Sequence, residues 1–226
     1  AVSVGLCAGA EFGFEDAEKM LPRNTCSLIK SFFGFKLSKV CPYIEASNMI
    51  VGETTCDGKK KAYEIFKGIQ PNLFVMEVPQ MKGPQDKELL KAEYARLKAE
   101  MEKLTGITID ATRLKKGINR REALHRLAAL RAADPAPISG LDALLINQVA
   151  FYDNPERFTE SVNKICDELE QRTRKGEGVF PKGTPRVLVS GCPMAVPNWK
   201  LPSIVETSGA VIVGEESCVG ERGTQN

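Results

Sequence analysis

The sequence predicts an α/β protein built around parallel strands. Three observations carry that expectation. Short, continuous runs rich in Val, Ile and Leu alternate with helical stretches, the pattern of strands buried on both faces between helical layers. The linkers between them are punctuated by Pro, Gly and Asn at positions suited to ending or capping helices. And one segment occurs twice: Ile50-Val51-Gly52-Glu53-Thr54-Thr55-Cys56-Asp57-Gly58-Lys59-Lys60 recurs as Ile212-Val213-Gly214-Glu215-Glu216-Ser217-Cys218-Val219-Gly220-Glu221-Arg222. Each copy reads as an apolar strand, Gly-Glu, a small hydroxyl residue, then cysteine, glycine and a basic residue. Cys41-Pro42-Tyr43 precedes the first copy and Cys192-Pro193-Met194 the second. Duplication implies two similar halves, each offering thiols at the end of a strand.

In chain order, residues 2–7 read as a strand and 15–20 as a helix ended by Pro22. A second helix opens near Asn24-Thr25, where either side chain can cap it. Strands at 49–51 and 73–78 flank a helix at 59–67. Residues 85–104 and 110–133 form long, charged helices with pairs such as Lys98 and Glu102 one turn apart. Asp134-Pro135-Ala136-Pro137 breaks the second of these, and Ser139-Gly140 restarts a helix over 141–152. Asn154 caps the next, with Pro155 in its first turn, and that helix runs to 175. A Gly/Lys/Pro connector at 176–183 leads to strands at 186–189 and 210–213. The domain reading is a first α/β lobe over 1–80, a helical connector packed on the lobes over 81–183, and the start of a second α/β lobe over 184–226. A strand–cysteine–helix unit should continue past Asn226, so the sequence reads as a fragment.

Composition excludes several classes. A net charge of +2 gives no support to nucleic-acid or anionic-membrane binding. No apolar run approaches the roughly 18–20 residues of a membrane helix, and no basic segment precedes an apolar one as in a secretory signal. Seven cysteines without such a signal point to metal ligands, redox thiols or core residues rather than a disulfide framework.

Cys56 and Cys218 fall just after their strands, where loops of open α/β sheets lead into helix N-termini and where sites gather. Free N–H groups there favour thiolate, the form that binds iron. Gly58 and Gly220 allow close backbone approach. Cys26 sits near a helix start, and Cys41 and Cys192 precede proline, which biases them toward extended loop geometry. Cys166 is expected in the core of its helix, and Cys7 in or at the end of the first strand. His125, the only histidine, reads as a surface residue, and Trp199 as a core residue near the second site. The Lys59-Lys60-Lys61 run reads as a solvated helix face. Zinc usually takes paired CxxC hooks, which are absent. A nucleotide loop at Gly5-Leu6-Cys7-Ala8-Gly9-Ala10 matches no phosphate-binding pattern.

The motifs Cys26-Ser27-Leu28, Val51 through Lys60, and Gly214 through Gly220 resemble the iron–sulfur subunits of the 2-hydroxyacyl-CoA dehydratase and benzoyl-CoA reductase superfamily. The added Cys41-Pro42-Tyr43 and Gly191-Cys192-Pro193-Met194 make the chain most similar to its double-cubane cluster proteins. The resemblance implies two flavodoxin-like lobes with the cluster in the cleft between them. It implies 4Fe–4S chemistry, with Cys26, Cys41 and Cys56 serving from the first lobe and Cys192 and Cys218 from the second. A sixth ligand of a bridged double cubane would lie past Asn226. An ATP-hydrolysing iron–sulfur activator would supply low-potential electrons, so that ATP enters only through that partner. A homodimer, a small-molecule substrate and an anaerobic, cytoplasmic setting are implied likewise.

The preferred reading is thus a reductase component that reduces small molecules at a double cubane. Lys59, Lys60 or Arg222 would stabilise an anionic substrate or the reduced cluster. The alternative is a 2-hydroxyacyl-CoA dehydratase subunit with one cubane, passing an electron to a CoA thioester and losing water through a ketyl radical. A third reading is a non-enzymatic metal-binding scaffold.

Overall fold

The computed structural model describes residues 3–5, 11–191, 194, 199–217 and 219–224. Cys7, Cys192 and Cys218 lie outside them. The order of elements is α1 (Phe14–Ala17), α2 (Ser27–Leu37), α3 (Pro42–Ala46), β1 (Ile50–Glu53), α4 (Asp57–Phe66), β2 (Leu73–Met76), α5 (Pro84–Thr105), α6 (Ala111–Leu130), α7 (Gly140–Val149), α8 (Pro155–Lys175), β3 (Arg186–Ser190), α9 (Lys200–Thr207) and β4 (Val211–Glu216), followed by a 3₁₀ turn at Arg222–Thr224. The fold is α/β with parallel strands. β1 pairs with β2, and β3 with β4, each pair parallel, with a helix in each connection. The chain divides into two compact units, one ending at Ile109 and the other running from Asp110, with residues 3–5 joined to the second.

The first unit has its core where α1, α2 and α4 cover β1 and β2. Phe33 and Phe66 are buried with ring centroids 5.0 Å apart, and Phe32 meets Phe66 edge-on at the same distance. Such tilted pairs add to the burial of their area. Ile29, Ile44, Ile50 and Ala62 complete the cluster. α5 contributes no buried residue over its 22 positions. It is tied to β2 by Arg96, which donates to the Val75 carbonyl at 2.6 Å and lies over the Phe74 ring.

The second unit centres on α6 and α8. Phe158, Val162, Cys166 and Leu169 fall on one face of α8 at spacings of four, four and three, and all are buried against Ala123 and Leu127 of α6. Cys166 is therefore a core thiol, as expected. Asn154 caps α8 through bonds to the N–H groups of Glu156 and Arg157, Pro155 is its first residue, and Gly176 ends it at φ 70°, a conformation that suits glycine. Asp110 and Ser139 cap α6 and α7 in the same way.

Four expectations are corrected. Residues 3–5 belong to no strand; the Gly5 N–H bonds the Phe151 carbonyl, and the Phe151 ring occupies the space a side chain at Gly5 would need. The helix expected to be capped by Asn24 or Thr25 is capped by Cys26. β3 has no buried residue, because in the described chain β4 is its sole strand neighbour. Trp199 is 37% exposed rather than core.

Candidate functional site

All three described candidate cysteines occupy the same kind of place. Cys26, Cys41 and Cys56 are the N-cap residues of α2, α3 and α4. Their carbonyls start the helices, accepting from Lys30 at 3.0 Å, Glu45 at 3.2 Å and Lys60 at 3.1 Å. None caps its helix through the side chain, so the sulfur is not taken up by its own first turn. Cys26 and Cys56 are exposed. Cys41 is half-buried against the core of the first unit, because Pro42 turns the chain straight into α3 rather than into an open loop.

The first turns of α2 and α4 meet. A Cβ placed on Gly58 would stand 2.9 Å from Ile29 Cδ1 and 3.6 Å from Cys56 Sγ. A side chain there would press on the Ile29 side chain at the helix contact and would meet the thiol only at ordinary van der Waals distance. Cysteine sulfur is the donor type that holds iron–sulfur clusters, and here the sulfurs are free of their own helix caps. The residues therefore fit an iron–sulfur cluster in their chemistry. Among the described residues no three His, Cys, Asp or Glu side chains converge as a metal-holding group, and Cys192 and Cys218 lie outside those residues.

Beside Cys56 stands a small charged cluster that the motif alone did not single out. Glu53 ends β1 and pairs with Lys59, one turn into α4; it also accepts from the Thr55 N–H at 2.8 Å. Burial pushes the Glu53 carboxyl up, but the bonds from Lys59 and Thr55 outweigh it and hold the group below its ordinary range. Burial likewise opposes the charge on Lys59, and the bond to Glu53 overrides it, leaving the ammonium raised. Burial raises the Tyr63 phenol next to them. Thr54 turns inward and accepts from the Val78 N–H at 2.9 Å, which ties the cysteine loop to the end of β2. Lys60 and Lys61 are solvated, as expected, with Asp57 and Glu64 as partners.

In the second unit the strand end before Cys218 is built differently. Glu215 is 3% exposed and accepts from the Ser217 hydroxyl at 2.9 Å, and burial raises its carboxyl. Glu221, at the place of Lys59, pairs with Arg131 just past α6, a guanidinium 2% exposed that also donates to the Ile212 carbonyl at 2.9 Å. Glu216 accepts from Arg222 and from Ser190 at 2.9 Å. The importance of Arg131 was hidden in a charged helical run. The signal that could have found it is the swap of Lys59 for Glu221 between the copies, which leaves a buried acid in need of a distant cation. His125 is exposed, as expected.

The described residues contain no helix long and apolar enough to cross a membrane. A model of the 2-hydroxyglutaryl-CoA dehydratase D-component family matches residues 1–226. YjiM of Escherichia coli (strain K12), which carries the name of a dehydratase subunit, is 36% identical over all of this chain and 60% of its own length. The (R)-phenyllactyl-CoA dehydratase beta subunit of Clostridium sporogenes is 25% identical over 92% of this chain and 55% of its own. The chain thus spans somewhat over half the length of these curated relatives.

Proposed function

The chain belongs to the 2-hydroxyglutaryl-CoA dehydratase D-component family, and we propose that it serves as an iron–sulfur subunit of a 2-hydroxyacyl-CoA dehydratase. The observation that carries this reading is the family match over all 226 residues. Both relatives carry dehydratase names, which puts dehydration ahead of the double-cubane reductase.

In this reading Cys26, Cys56 and Cys218 are ligands of one 4Fe–4S cluster, and Cys41 and Cys192 are not required. The cluster, when bound, supplies the single electron that activates a 2-hydroxyacyl-CoA for loss of water. The chain's own groups bind and orient. The starts of α2 and α4 present the Cys26 and Cys56 thiols at exposed helix ends, and Gly58 lets α4 approach Ile29 of α2. Glu53, kept ionised by Lys59 and the Thr55 N–H, offers a carboxylate acceptor for a substrate hydroxyl at the strand end that leads to Cys56. Electrons would come from an ATP-hydrolysing iron–sulfur activator in an anaerobic cytoplasm. The beta-subunit name of one relative favours a related chain as the partner subunit over a second copy.

Iron and acid-labile sulfide per chain, measured on the anaerobically purified full-length protein, test this. The dehydratase reading expects about four irons, unchanged in Cys41→Ala and Cys192→Ala, and ATP-dependent dehydration of a 2-hydroxyacyl-CoA with an activator. About eight irons falling sharply in Cys41→Ala would return the double-cubane reductase. A protein without iron would sink both.

A further inference from the structure

The segment that leads into Cys26 is laid back along α2. At one end Gly34 of α2 meets it so closely that a Cβ there would come within 2.5 Å of the Phe12 carbonyl oxygen. Ala17 and Leu21 then sink into the core of the first unit. At the other end stands Lys30, four residues after Cys26 and only 8% exposed. Its Nζ donates to Glu18 Oε1 at 2.9 Å and to the Arg23 carbonyl at 3.1 Å, and it lies 4.8 Å from the centroid of the Phe14 ring.

Lys30 thereby bonds the chain on both sides of the cysteine loop. Its side chain holds the carbonyl of Arg23, three residues before Cys26, and its own N–H donates to the Cys26 carbonyl at 3.0 Å. Between them the Thr25 N–H closes on the Pro22 carbonyl at 2.9 Å. The backbone around Cys26 is thus fixed, while the thiol stays exposed and takes no part in the cap.

Stability alone does not call for an ammonium in this place. Desolvating one is unfavourable, and an apolar side chain of similar volume often serves a buried ion pair's position as well or better. What the ammonium provides is several donors at once, one of them directed at the Arg23 carbonyl. The same device recurs at Cys56. There Lys59, in the first turn of α4, pairs with Glu53, three residues before that cysteine. The Lys30 side chain is 10% exposed against 34% for Lys59, so the clamp at Cys26 is the one that solvent screens less.

We propose that Lys30 is a positioning residue for Cys26: it closes the 23–26 loop onto α2 and so fixes where the thiol is presented. What the fixed thiol serves rests on the iron–sulfur reading above. The closure itself does not, because every contact in it lies within the first unit and involves no cluster.

The test is amide hydrogen exchange in iron-free full-length protein, mapped by peptide mass spectrometry. Lys30→Met keeps the length of the stem and removes the donors. Exchange over residues 24–30 should rise about tenfold, the effect on local opening of one lost hydrogen bond from a charged group. Peptides carrying β1, where the Ile50 N–H bonds the Asn72 carbonyl, should keep the parent rate. Lys36→Met is the control. Lys36 lies on the same helix but pairs with Glu45 of α3 at 3.0 Å, away from the Cys26 loop, so residues 24–30 should keep the parent rate there too. Lys30→Gln, one bond shorter and uncharged, gives the same comparison should the methionine variant not fold. In reduced, iron-loaded protein, Lys30→Met should also alter the electron paramagnetic resonance signature. Unchanged exchange over 24–30 in a folded Lys30 variant overturns the proposal. So does an equal rise across β1, which would make Lys30 a support of the whole unit, and so does an equal rise over 24–30 in Lys36→Met. An unaltered resonance signature in an iron-loaded Lys30 variant overturns it as well. A parent chain that binds no iron sinks the iron–sulfur reading and leaves the exchange result to decide the closure.

Discussion

The two copies of the repeated motif solve the same electrostatic problem with different wiring. In the first, Glu53 is partly exposed and finds its cation six residues on, in Lys59. In the second, the residue six positions after Glu215 is Glu221, another acid. Glu221 draws its cation from Arg131, 90 residues back in the chain, and Glu215 is left buried with a hydroxyl as partner. The residue after each cysteine differs in the same sense: Asp57 is solvated, whereas Val219 is buried on Leu144. The first module is therefore a local device that needs little beyond β1 and α4. The second is held by the helices around it, so its geometry depends on α6 and α7. Similar motif sequence does not imply similar dependence on the rest of the fold.

The largest break in that comparison should come at Arg131. Arg131→Met leaves Glu221 buried without a partner, and breaking a buried pair on one side costs about 3–5 kcal/mol. The denaturant midpoint should fall accordingly, and Arg131→Met combined with Glu221→Met should recover most of the loss. A single variant that unfolds like the parent would show that the pair is dispensable.

A pH titration of stability sharpens the contrast in sign. Burial raises Glu215, so the folded state holds its proton more tightly than the unfolded one. Its contribution is favourable while the group is protonated and declines as pH rises from about 4.3 through the raised value. Glu215→Gln should flatten that decline; the charges facing the group are Arg131 and Glu221. Glu53 runs the other way. Its lowered carboxyl contributes stability above about pH 4.3 that is lost as pH falls through the folded value, and Glu53→Gln should remove that acid-side loss. Matching slopes in the two variants would erase the distinction.

The smallest effect belongs to Lys59. The Lys59 and Glu53 side chains are each about one-third exposed (34% and 37%), so solvent screens their pair. Lys59→Met should cost no more than about 1 kcal/mol. A loss as large as that at Arg131 would mean that the first module is no more local than the second.

Much of this was legible in the sequence wherever a local rule decides the outcome. Asn154 and Pro155 announced the start of α8, and the continuous apolar runs announced β1, β2 and β4 as strands. The core position of Cys166 followed from the apolar face it shares with Phe158 and Val162. What escaped depends on partners far along the chain. The exposure of β3 reflects how many strands lie beside it, which its own Val-rich pattern does not report. The bulge that leaves Val213 unpaired between Ile212 and Gly214 is set by the β3 register. Trp199 looked like core by residue type, yet its surroundings leave it exposed. Cys26 took the cap expected of Asn24 or Thr25, a shift of one or two residues that changes which side chain faces the helix end. Arg131 sat at the end of a charged helical run whose pattern gave no hint of the distant acid it holds.

The central claim is that both copies of the motif contribute thiolates to one iron–sulfur centre. Its most direct test is iron and acid-labile sulfide per chain in anaerobically purified full-length protein, compared with Cys56→Ala and Cys218→Ala. The account predicts that each substitution, one from either module, strips most of the iron while the parent retains about four per chain. Full iron retained in either variant would contradict it.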